Sequence, residues 1–100
     1  MVAVFVGALR VDLLLGDVRS LKQKRGALRP VLAGLRRHLD VAAAETGGHD
    51  LLRRAEIGLS TVSGDHARVE QVLDDAERWL WGRPELEVVV VQRWVRSVDD

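Results

Sequence analysis

The sequence predicts an α+β domain with the element order β-α-β-β-α-β, and three observations predict it. Four runs rich in valine, isoleucine, leucine and alanine read as strands, and two stretches repeat an apolar residue every three or four positions as helices do. Clusters of glycine, aspartate, serine and proline punctuate the joins. One hundred residues, 47% of them hydrophobic, suffice for one core and leave no room for a second, so residues 1–100 read as one domain.

The first strand is expected over residues 2–15. One face carries Ala3, Phe5, Leu9, Val11 and Leu13, the other Val2, Val4, Val6, Ala8, Arg10 and Asp12. Gly16 and Asp17 turn the chain. Ser20 then caps a helix: its hydroxyl accepts from the backbone N–H of Gln23, and the Gln23 side chain reaches back to Ser20. The helix is expected to end at His38 or Leu39 and to bury Leu21, Leu28, Leu32, Leu35 and Leu39. Gly26, Pro30 and Gly34 interrupt it, and interior proline costs roughly 3 kcal/mol, so a kink is expected near Gly26 to Pro30.

Residues 41–45 read as a short strand and residues 46–50 as a loop. Residues 54–62 alternate, with Ala55, Ile57, Leu59 and Thr61 on one side and Glu56, Gly58 and Ser60 on the other, so the two strands pair antiparallel across the loop. Ser63 or Asp65 caps a second helix whose core stripe is Val69, Val72, Leu73, Ala76 and Leu80. Trp79 falls at the margin of that stripe, Trp81 points to the polar side, and Gly82-Arg83-Pro84 ends the helix. Residues 86–95 form the last strand, apolar on both faces from Val88 to Val91.

Two right-handed split crossovers in this order give a ferredoxin-like sandwich, an antiparallel four-stranded sheet with two helices on one face. The other sheet face is open in such a fold. Val4, Val6 and one side of Val88 to Val91 would lie apolar there, which predicts cover by a second subunit, hence a homodimer.

Charge and composition narrow the function. With 15 basic and 15 acidic residues the formal net charge is zero, so any electrostatic function is local. The chain has no cysteine, which excludes disulfides and thiol chemistry and suits a cytoplasmic protein. Arg10 and Asp12 interrupt the apolar start, and neither a basic leader nor a cleavage site frames it, so neither signal peptide nor membrane span is expected. Glu45, His49, Asp50 and Glu56 are the grouping a hairpin could offer for acid–base or metal chemistry. The histidines His38, His49 and His66 lack ligand spacing, and there is no nucleophile elbow or phosphate loop. A polar hairpin is therefore the reading, with no enzymatic activity, cofactor, metal or small-molecule substrate expected.

The run Arg19-Ser20-Leu21-Lys22-Gln23-Lys24-Arg25 places four cations at a helix start, where each costs about 0.3–1 kcal/mol relative to an acid. Folding does not call for them. Lys22, Arg25, Arg29 and Arg36 share one stripe beside the leucines. Lysines beside exposed N–H groups at a helix start suit phosphate, so Arg19, Ser20, Lys22, Lys24, Arg25 and Arg29 are the candidate anion- or nucleic-acid-contacting residues. A solvated helix face is the bland alternative. Phe5 and Trp94 are the aromatics the sheet offers, without the glycine–aromatic motif of base-stacking sheets.

Four blocks also carry a resemblance: Arg19 to Arg25 with Leu28 and Arg29, Val41-Ala42-Ala43-Ala44-Glu45, Asp50 with Arg54-Ala55-Glu56-Ile57-Gly58, and Val62-Ser63-Gly64-Asp65. In this order the chain resembles the YlxP-like bacterial family, a domain of unknown function. The resemblance implies a ferredoxin-like fold and a genomic setting beside translation-initiation and ribosome-maturation genes. The chain departs from the family pattern at Gln23, where an acid is common, and at Leu51-Leu52, where Trp-Gln is common. The sequence therefore points to a non-enzymatic RNA- or ribosome-associated accessory protein that contacts phosphate through a basic helix start. The alternative is a protein-interaction or structural module that dimerises through its open sheet face.

Overall fold

The computed structural model describes residues 3–99, so Val2 lies outside the described residues. The elements are β1 (Phe5–Leu15), α1 (Leu21–His38), β2 (Ala42–Gly47), β3 (Arg54–Ser63), α2 (His66–Trp81) and β4 (Leu86–Ser97). The four strands form one sheet in the order β2-β3-β1-β4, every neighbouring pair antiparallel. Both helices pack on one face, α1 over β2 and α2 over β1, β3 and β4. This is the ferredoxin-like arrangement.

Strand alternation fixes which face is dry. Leu9, Val11 and Leu13 of β1 and Ala55, Ile57, Leu59 and Thr61 of β3 are buried beneath the helices. α2 contributes Val69, Val72, Leu73, Ala76 and Leu80, the stripe its spacing predicts, with Trp79 partly buried at the margin. Asp65 rather than Ser63 caps that helix, its carboxylate accepting from Ala67 N at 3.0 Å.

The ends of β2 and β4 move. Thr46 and Gly47 belong to β2, because a bulge between Glu45 and Gly47 carries the pairing with β3 past the expected loop. β4 runs on to Ser97, and a second irregularity sets Val88 and Val90 against Leu13 and Asp12. α1 is a single helix of 18 residues with Pro30 inside it.

The buried face of α1 is Lys24, Leu28, Val31 and Leu35, so the expected leucine stripe is displaced. Leu21 is exposed and Leu32 and Leu39 are only partly buried, while Lys24 and Val31 take the inner positions. The reason is position: residues 24, 28, 31 and 35 repeat at helical spacing, and the helix turns that edge onto β2.

Candidate basic face of the first helix

Ser20 starts α1 as expected, its Oγ accepting from Gln23 N at 3.0 Å. The reciprocal bond differs from the expectation: Gln23 Oε1 accepts from the backbone N–H of Arg19, at 2.7 Å, not from that of Ser20. Arg19 folds back on Asp17, with Nε 3.2 Å from Oδ1, and Arg53 approaches the same carboxylate at 3.9 Å. The charge of Arg19 is thus partly offset, and the Ser20 hydroxyl is occupied by the cap.

Lys24 leaves the surface altogether. It is 2% exposed, and its Nζ donates to the carbonyl of Gly48 at 2.5 Å. Glu45 Oε2, itself buried, sits 3.1 Å from Nζ, within ion-pair distance though off the hydrogen-bond direction. Gly48 adopts φ 67°, the left-handed region that favours glycine, and its carbonyl also accepts from Leu51 N at 3.0 Å. Lys24 therefore ties α1 to the β2–β3 hairpin, and its charge is spent inside the fold.

Lys22, Arg25 and Arg29 remain exposed, and among the described residues none of them has a carboxylate within ion-pair distance. Arg25 and Arg29 line a cleft of about 250 Å³ with Leu28, Leu32, Arg36 and Glu45, between α1 and the edge strand β2. Arg36 donates from Nη2 to the carbonyl of Ala43 at 2.6 Å. That bond also blunts the edge of β2. Sequence spacing placed Lys22, Arg25, Arg29 and Arg36 on one stripe; what it could not show is that Arg36 folds onto the strand. α1 holds no acidic residue, so no intrahelical pair screens this face.

The hairpin carboxylates do not converge. Glu45 faces the helices opposite Ile57, whereas Glu56 lies on the open face and takes Arg10 Nε at 2.5 Å. His49 and Asp50 are exposed in the turn. Among the described residues no group of three or more His, Cys, Asp or Glu side chains is placed to hold a metal ion. The aromatics divide likewise, Phe5 stacking edge-on against His66 at 5.4 Å and Trp94 standing on the open face. Sequence reasoning missed the cluster of Arg10 with Glu56, Asp12 and Gln92, since only the strand register brings these residues together.

A family model described as "Protein of unknown function (DUF503)" matches residues 6–93. The chain belongs to this family. It is 25% identical over 87 residues to the uncharacterized protein YlxP of Bacillus subtilis (strain 168), which covers 87% of this chain and 95% of that protein. Among solved structures, the de novo designed protein Foldit4 superposes with a TM-score of 0.51 at 13% identity, over 95% of this chain and 96% of that one. That likeness concerns the fold alone. Two of the four blocks that carry the resemblance to the family meet in space at the contact of Lys24 with Glu45. No helix among the described residues is long and apolar enough to cross a membrane.

Proposed function

We propose that the protein is a non-enzymatic, cytoplasmic accessory protein that binds RNA, free or on the ribosome, through phosphate contacts from α1. One observation carries the reading: Lys22, Arg25 and Arg29 stand exposed and without a carboxylate partner together on one helix that holds no acid, whereas other cations without one, such as Arg54, Arg68 and Arg96, are scattered over β3, α2 and β4. Cations left unpaired in a chain with as many acids as bases are available to an external anion. Lys24 takes no part, and Arg36 supports the cleft rather than reaching out.

Binding of this kind is set by counterion release. Three phosphate contacts on a single strand give a slope of about −2 in log affinity against log salt. Fluorescence anisotropy with ribosomal RNA fragments measures the slope, and ribosome co-sedimentation tests the bound form. The double variant Lys22→Glu, Arg25→Glu is expected to abolish binding while leaving the circular dichroism unchanged. Failure of the native protein to bind RNA at about 50 mM salt, where backbone contacts are strong, would sink the reading.

A further inference from the structure

The sheet face away from the helices is a surface that the basic stripe does not use. Its pattern can be laid out from the strand register, row by row from β2 to β4. One row is Ala42, Ser60, Ala8 and Trp94, and the next is Ala44, Gly58, Arg10 and Gln92. Small residues fill the β2–β3 side, where Ala8, Ala42, Ala44, Thr46, Gly58 and Ser60 line a shallow, open hollow of about 340 Å³. On the β4 side stand Trp94, 47% exposed, and Val90, 43% exposed. An indole and a valine left in water on one half of a face, beside a hollow on the other half, are not a solvated sheet surface.

The ends of the face carry charges. At one end Arg54 and Glu87 flank Leu14 in a single row, Arg54 on β3 and Glu87 on β4. At the other end Arg96 of β4 lies in the row of Val6 and Val62, and Asp40 borders a second, neighbouring depression with Val6 and Val62 on the β2 side. Among the described residues none of these four has an ion-pair partner, and Arg96 lies over the Trp94 ring of its own chain, 5.7 Å from the centroid. At the centre Arg10 is held within its own subunit by Glu56 and Gln92, with Asp12 at 3.9 Å, and keeps 55% exposure.

This arrangement is complementary to itself. Turning a second copy by 180° about an axis along β1 lays its β4 over β2 and β3 of the first. Trp94 then enters the hollow, Glu87 faces Arg54, and Arg96 faces Asp40, each contact occurring twice. An axis across the strands would also match the charges, but it would set Trp94 against Val90 and leave the hollow unfilled. We propose that the protein forms a two-fold homodimer through this face, with Trp94 of each subunit seated among Ala42, Ala44, Gly58 and Ser60 of its partner. The helices stay outside, so the α1 stripe is unobstructed in the dimer.

Sedimentation equilibrium on the nuclease-treated full chain tests this, the expected mass being about twice 11.1 kDa. Trp94→Ala is expected to weaken the dimer by about 30-fold or more, as for a central aromatic anchor. Glu87→Arg and Arg54→Glu should each weaken it about tenfold, and the two reversals together should restore it. Circular dichroism and thermal melting confirm that the variants fold, and the restoring double variant keeps the test independent of Trp94. A monomer at all concentrations overturns the proposal, as does a dimer whose dissociation constant ignores Trp94→Ala and both charge reversals.

Discussion

Lys24 shows how one residue's role depends on which side of a helix it occupies. Its four-carbon stem can lie in an apolar stripe, and it sits four residues before Leu28, where the core stripe passes. Leaving Glu45 buried without its cation costs about 3–5 kcal/mol when such a pair is broken, and Glu45 keeps 18% exposure, which puts the cost near the lower figure. Lys24→Ala is therefore expected to lose about 3 kcal/mol in urea denaturation. Replacing both partners, Lys24→Met with Glu45→Leu, should recover most of that loss, since an apolar pair of similar volume is often neutral. A Lys24→Ala protein of native stability would mean that the contact contributes nothing. The sequence shows Lys24 as one cation among four, because its partner lies 21 positions away and only the fold brings Glu45 beneath the helix.

At the scale of the helix, Gly26 and Gly34 look alike in sequence and differ in space. A Cβ on Gly26 would meet nothing within 4 Å, but one on Gly34 would stand 2.6 Å from two ring carbons of Trp79. Gly34 is the gap through which α2 sets its tryptophan against α1, where Trp79 also stacks beneath Arg83 at 4.4 Å. Gly26→Ala is expected to stabilise the protein by about 1 kcal/mol through helix propensity. The same exchange at Gly34 should destabilise it by about 1–3 kcal/mol through overpacking, with a shift in tryptophan fluorescence. Equal effects in thermal melts would contradict this account of helix packing. Elements with strict periodicity were legible beforehand, as the alternation of β3 and the stripe of α2 show. α1 was not, because Ala27, Leu28, Val31, Leu32, Ala33 and Leu35 ring it broadly enough to blur the centre of its apolar face. The end of β2 was hidden by Gly47 and Gly48, which read as a turn although a bulge keeps Gly47 paired.

Over the whole molecule a net charge of zero conceals a separation of charge. α1 carries Lys22, Lys24, Arg25, Arg29, Arg36 and Arg37 with no acid, beside the β2 edge of the sheet. α2 carries Glu70, Asp74, Asp75 and Glu77 against Arg68 and Arg78; Arg78 pairs with Asp75, and the other three acids converge on Arg93 of β4 at the opposite edge, the nearest at 2.8 Å. Arg93 offsets one charge of three, so that edge stays acidic. At about 0.1 M salt the two edges act separately, because screening there reduces the reach of a charge to about 10 Å. The chain should thus bind a polyanionic matrix near neutral pH despite its neutrality, and release in a modest salt gradient. Arg25→Glu and Arg68→Glu change net charge equally, yet Arg25 lies on the basic stripe and Arg68 on the exposed side of α2. Arg25→Glu is expected to elute at much lower salt and Arg68→Glu close to the native protein. If the two variants shift alike, net charge governs retention, and the basic face of α1 loses its claim as the anion-contacting surface.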